Sequence, residues 1–189
     1  MERTHVLDTK DLAGKEVNLY GWVATRRDHG KIIFIDLRDR SGIVQVVFVP
    51  SSKDYAIASE LRSEWVLRIK GQVKARPEKM VNAEIETGKV EIEPEEMEVL
   101  NKSETPPFPL DTDGYEIGEE SRMKYRYLDL RRQRMAKNLA VRHKITAFIR
   151  NWLSEKGFIE VETPILTKST PEGARDYVVP SRLTHGKFY

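Results

Sequence analysis

From Glu16 to Leu100 apolar and polar residues alternate mostly with period two, in five runs separated by turn residues. That pattern predicts strands with one face in a core and the other facing outward. Val17, Leu19, Gly21 and Val23 alternate with Asn18, Tyr20, Trp22 and Ala24. The second run is Lys31 to Leu37 and the third Ile43 to Val49, joined by Arg38-Asp39-Arg40-Ser41-Gly42, whose Ser-Gly marks a hairpin turn. After Pro50, Ser51 or Ser52 is placed to cap a short helix through Leu61. Strands resume over Trp65 to Ala75, and the fifth run, Lys89 to Leu100, is rich in acids.

Three strands, a helix and two more strands is the layout of an OB-fold, a small barrel whose second and third strands commonly bind oligonucleotides. A five-stranded domain with no ligand would have the same order. Between Asn101 and Gly118 periodicity stops, and Pro106, Pro107, Pro109 and Gly114 mark an extended linker or hinge. Beyond it, Ser121 is positioned to cap a short helix, and a longer helix spans about Gln133 to Lys156, stopped by Gly157. Its Val141, Ile145, Phe148, Ile149 and Trp152 form one apolar stripe, suited to core packing or to a subunit contact. Phe158 to Glu162 alternates as a strand, and Pro164, lacking an amide donor, interrupts the ladder.

Composition narrows the classes. The 189 residues contain no Cys, which removes disulfides, thiolate nucleophiles and Cys-ligated zinc. The four His, at positions 5, 29, 143 and 185, lack the spacing of a helical metal site. No apolar run approaches the roughly 18 residues of a membrane helix, and residues 1–10 lack the apolar stretch of a signal peptide, so a cytoplasmic protein with no membrane partner is expected. The net charge of +2 hides an uneven distribution. Residues 1–100 carry 16 basic and 18 acidic side chains, whereas Ser121 to Arg150 holds ten basic residues and the single acid Asp129. A polyanion can be met there, and so can plain solvent on a charged helix face.

The first group able to carry chemistry is Arg26-Arg27-Asp28-His29-Gly30-Lys31, placed at the tip between the first two strands and followed by Phe34 and Gln45. Cations beside a strand pair hold phosphates, an exposed aromatic stacks a base, and Gln hydrogen-bonds a base edge. The competing arrangement is a charged hairpin tip with Phe34 in the barrel core. Arg76 and Glu91, on later strands, can add polar contacts.

Gly21-Trp22-Val23, Arg26-Arg27-Asp28, Ile33 to Arg40 and Gly42 to Val46 together resemble the anticodon-binding OB domain of bacterial-type aspartyl-tRNA synthetases. Lys124 to Arg132 resembles that family's hinge, and Gly157-Phe158 with Val161 to Pro164 resembles motif 1 of class II synthetases. Thr170 to Tyr177 and Val179 to Arg182 resemble the start of the aspartate-specific site. The implied fold class is mixed: an all-β OB barrel at 1–103, a linker and hinge at 104–132, and at 133–189 the first helix and strand of an α+β class II catalytic domain. The resemblance implies that Arg27, Phe34, Gln45, Arg76 and Glu91 contact the anticodon and that Glu172 holds the ammonium of L-aspartate. It implies too that the motif 1 segment around Pro164 lies at a homodimer interface. In this family His at position 29 accompanies acceptance of tRNA(Asn) beside tRNA(Asp), where Leu accompanies restriction to tRNA(Asp). Lys79 points the other way, because enzymes of relaxed specificity often have Gly there.

The expected function is therefore aspartate–tRNA ligation: L-aspartate is activated with ATP and Mg2+ and passed to tRNA, with no DNA partner. Motif 2 and motif 3 are not visible in these residues, so catalytic residues are expected to lie beyond Tyr189 and the 189-residue chain alone to be inactive. A free-standing OB module that binds RNA, and an asparagine- or lysine-specific relative, are the alternatives.

Overall fold

A computed structural model describes residues 2–166 and 177–188. The chain forms two compact units, Met1–Asn138 and Leu139–Tyr189. In the first, β1 (Glu16–His29), β2 (Ile32–Arg38), β3 (Ile43–Phe48), β4 (Val66–Ala75) and β5 (Val90–Asn101) close into a barrel in the order β1-β2-β3-β5-β4. All pairings are antiparallel except β3 with β5, which meet in parallel at Val46 and Ile92. Alternation places Val17, Leu19, Val23, Ile35, Leu37, Val44, Val46, Phe48, Leu67, Ile69, Val73 and Ile92 in the core at 0–1% exposure. Each such aliphatic contributes about 1.5–3 kcal/mol by leaving water. At Gly71, where the β4–β5 register shifts, a Cβ would lie 2.3 Å from the Glu93 carbonyl oxygen, so only glycine lets these strands approach.

The strands run longer than their alternation suggests. Arg26, Arg27 and Asp28 are not at the hairpin tip: they lie inside β1, paired with Ile35, Phe34 and Ile33. The turn is only Gly30-Lys31, and Gly30 takes φ +63°, as tight two-residue hairpins require. The register slips between Val23 and Thr25, a bulge at Ala24. It reverses the parity of β1, so that odd positions face inward before it and outward after it.

Several local expectations are corrected. The helix after β3, α1, covers only Tyr55–Ala58, and its N-cap is Asp54 rather than Ser51 or Ser52. The Asp54 carboxylate instead accepts the Met97 amide of β5 at 2.7 Å. The next helix, α2 (Glu119–Lys124), is entered through Gly118, which leaves Ser121 inside it. A 3-10 turn at Val6–Asp11, without an alternating signature, buries Val6 and Thr9 completely. Asp39 ties this turn to the β2–β3 hairpin: its Oδ2 accepts the Val6 amide at 3.1 Å and its Oδ1 accepts the Ser41 amide at 2.7 Å.

The segment after β5 belongs to the first unit and packs on the barrel. Phe108 and Leu110 are buried, and the Trp65 indole donates to the Ser103 carbonyl at 3.2 Å. The short α3 (Arg126–Asp129) presents a fully buried Asp129 to Arg122, Arg126 and Arg132 at 3.1, 2.7 and 3.1 Å. Arg132, itself fully buried, also donates to the Thr112 carbonyl at 2.8 Å. Arg131 bridges to Glu64 at 3.1 Å and stacks over Trp22 at 4.9 Å. Four of the ten basic residues of the run, Arg122, Arg126, Arg131 and Arg132, are therefore engaged in internal bridges rather than left to a free polyanion surface.

The helix α4 (Gln133–Glu155) follows, and none of its residues is buried. In the second unit its stripe is exposed, from 46% at Val141 to 67% at Phe148. Phe158 to Glu162 forms no strand, because no ladder partner lies beside it among the described residues. Arg150 holds Glu160 with two bonds of 2.9 and 3.0 Å.

Candidate nucleic-acid interface

The bulge at Ala24 assigns the two arginines of β1 to different tasks. Arg26 shares the inward parity of Ile35 and is used structurally: it donates to the Ser59 and Leu61 carbonyls and to Asp28 at 2.6 Å. Arg27 lies opposite Phe34 on the outward face, half exposed. Phe34 is not in the core. Its neighbours Ile33 and Ile35 are buried, while Phe34 is half-buried and paired with Val47 of β3 on its other side.

The outward face continues through Asp36, opposite Thr25 of β1 and Gln45 of β3. Gln45 donates from Nε2 to Glu91 of β5 at 3.2 Å. Glu91 in turn lies 3.5 Å from the Arg76 Nε, which also donates to the Val90 carbonyl at 3.0 Å. Arg27, Phe34, Gln45, Arg76 and Glu91 thus share one surface crossing β1, β2, β3 and β5, with Arg76 just beyond β4.

Along this surface Arg27 and Arg76 bracket the two carboxylates of Asp36 and Glu91, which lie on either side of Gln45. The Arg76 side chain is only 5% exposed, and its Nη2 is buried without a partner. Burial pulls its guanidinium below the ordinary value, against the opposing fields of Glu91 and Asp36. Burial also pushes the Asp36 carboxyl above its ordinary range, more than the bond from Arg27 lowers it. A surface with a half-buried aromatic, an amide side chain on Gln45 and unspent guanidinium donors suits unstacked bases with their phosphates. A cavity of about 640 Å³ lies elsewhere, beside Arg26, Arg62, Trp65 and Lys102, and includes none of these five residues. An open face rather than a pocket fits a strand-like ligand.

His29 ends β1, fully outward, beside the Gly30 turn, and Lys79 sits exposed in a single 3-10 turn at Glu78–Met80. Neither side chain has a hydrogen-bond or ion-pair partner among the described residues. Pro164 is exposed in an extended segment. Glu172 lies outside the described residues. Asp36 belongs to the Ile33–Arg40 stretch, but only the cross-strand register reveals that it lies between Arg27 and Gln45.

Known proteins show the same two parts. Residues 17–100 match the OB-fold nucleic acid binding domain family of tRNA anticodon type, and residues 118–189 match the class II tRNA synthetases (D, K and N). Together with the barrel and its polar face, these matches place the chain in the class II tRNA synthetase family of the aspartate, lysine and asparagine group. Within that group it is similar to the Aspartate–tRNA(Asp/Asn) ligase of Desulfotalea psychrophila, 58% identical over 193 residues, covering 100% of this chain and 32% of that protein. The corresponding ligase of Halothermothrix orenii is 55% identical over 194 residues, again covering 100% and 32%. The chain spans about a third of the length of these relatives. Among solved structures, asparaginyl-tRNA synthetase from Pyrococcus horikoshii complexed with asparaginyl-adenylate superimposes with TM-score 0.80 and 28% identity, covering 97% of this chain and 41% of that one.

Proposed function

We propose that these residues read the anticodon for an aspartate–tRNA ligase, which activates L-aspartate with ATP and Mg2+ and transfers it to tRNA(Asp). The observation that carries this reading is the single outward face on which Arg27, Phe34, Gln45, Arg76 and Glu91 meet. Phe34 stacks an anticodon base, Gln45 and Glu91 address base edges, and Arg27 and Arg76 supply cationic donors. In this scheme the barrel occupies 1–103, the hinge 104–132, and 133–189 opens the catalytic domain, where Glu172 holds the aspartate ammonium and the Pro164 segment contributes to a homodimer interface in the cytoplasm.

Among the described residues no group of three or more His, Cys, Asp or Glu could hold a metal, and no helix is long and apolar enough to cross a membrane. The unengaged His29 at the hairpin tip supports tRNA(Asn) as a second substrate, as do the names of the relatives.

Binding of a synthetic tRNA(Asp) anticodon stem–loop to the 189-residue chain tests the reading. Phe34→Ala is expected to weaken binding by about 1–3 kcal/mol, the loss of one base stack. Undiminished affinity in that variant, with its barrel intact, would remove the stacking role. In a full-length protein, His29→Leu is expected to lower charging of tRNA(Asn) relative to tRNA(Asp), and an unchanged ratio would sink the role of His29.

A further inference from the structure

We propose that Asp36 is a positioning and specificity-determining residue that restrains Arg27 on the RNA face and keeps phosphates away from its centre. The proposal rests on the anticodon reading above and extends it to a residue whose motif gives it no role.

The geometry is specific. The Arg27 Nη2 donates to the Asp36 Oδ1 at 2.8 Å, although the register places Arg27 opposite Phe34. The guanidinium therefore reaches diagonally across the strand pair to the next outward position of β2. Asp36 is 17% exposed whereas Arg27 is 50% exposed, so the carboxylate is the fixed end of the pair and the arginine the adjustable one. An unrestrained arginine on an open surface meets any phosphate, because its five donors sit on a long, rotatable stem. Tied at Nη2, it keeps its remaining donors in one orientation.

Charge supplies the second part. Asp36 and Glu91 flank Gln45 across β2, β3 and β5. A phosphate over this centre would meet two carboxylates, whereas a base edge bearing N–H groups would find acceptors. The partly desolvated Asp36 thus costs the chain raw affinity for polyanions and returns selectivity for a strand that turns its bases inward.

The test is a double-mutant cycle on the 189-residue chain, with Asp36→Asn, Arg27→Gln and the pair. The ligands are a tRNA(Asp) anticodon stem–loop and the same stem with a scrambled loop, each measured at several salt concentrations. Asp36→Asn is expected to bind the scrambled loop more tightly and to lose about tenfold of the wild-type preference for the cognate loop. Its salt slope should steepen by about one phosphate equivalent. In the Arg27→Gln background the same change should alter the preference by less than about twofold. Retention of the wild-type preference and slope in Asp36→Asn overturns the proposal, as does an equal effect with and without Arg27. Asp36→Ser, checked by thermal melting beside Asp36→Asn, separates lost charge from lost fold; unfolding of both assigns Asp36 to stability and overturns it too. A wild-type chain with no preference for the cognate loop defeats the anticodon reading and this proposal together, a different outcome from preference without coupling.

Discussion

The two units carry similar apolar content to opposite ends. In Met1–Asn138 the aliphatic side chains of five strands converge to near-zero exposure inside a closed barrel. In Leu139–Tyr189 Val141, Ile145, Phe148, Ile149 and Trp152 line up as regularly, yet all are about half exposed or more, and Ile159 and Ile165 reach 87% and 98%. Periodicity defines a face in both units, but only a partner turns a face into a core. The barrel supplies its own partner because its last strand returns to pair with both β3 and β4. The stripe has none among the described residues.

The strongest way to break this comparison is to separate the units. A fragment of residues 1–138 is expected to unfold cooperatively, with a urea midpoint close to that of the full chain, whereas residues 139–189 alone should show no cooperative transition by circular dichroism. Cooperative unfolding of the second fragment would show that its stripe finds a partner internally. Single truncations repeat the contrast at smaller scale. Leu67→Ala, at a fully buried position, should cost about 2–5 kcal/mol, and Ile145→Ala, at 54% exposure, should change the stability of the full chain by less than about 0.5 kcal/mol. Urea titration of both variants distinguishes them, and a comparable cost at Ile145 would contradict its exposure.

The same contrast explains what was legible in the chain. Strand order, the β2–β3 hairpin and α4 follow from local periodicity, which acts over a few residues. Five of the predicted RNA-facing residues also lie on one face, because outward positions of neighbouring strands necessarily adjoin. Asp36 was hidden, since its importance depends on the register that sets it between Arg27 and Gln45. The bulge at Ala24 was hidden for the same reason: one extra residue leaves no mark in an alternation interrupted there by Thr25 and the charged run. The basic hinge was overread, because Asp129 collects three arginines only after α2 and α3 fold back on it. The strand at Phe158 was overread too, since alternation describes a competent segment and not its ladder partner.

The smallest expected effect sharpens the comparison inside the barrel itself, between two carboxylates three positions apart. Asp36 and Asp39 are both largely covered, and burial alone would raise both. At Asp36 burial wins. At Asp39, whose side chain is fully covered, hydrogen bonds from the Ser41 hydroxyl and from the Val6 and Ser41 amides outweigh burial, with His5 adding to them, and hold the carboxyl below its ordinary 3.8. A carboxyl lowered by folding binds fewer protons folded than unfolded, so its stabilisation is complete above 3.8 and is lost as pH falls through the lower folded value. Asp36 has the opposite sign: its folded form holds a proton more tightly, so its contribution worsens as pH rises through its raised value. Asp39→Asn keeps the shape but weakens the acceptor, and should destabilise the chain by about 1–2 kcal/mol at pH 7. The deficit relative to wild type should shrink when urea titrations are repeated at successively lower pH below 3.8. A deficit independent of pH would mean that the ionised form of Asp39 is not what ties the amino-terminal turn to the barrel.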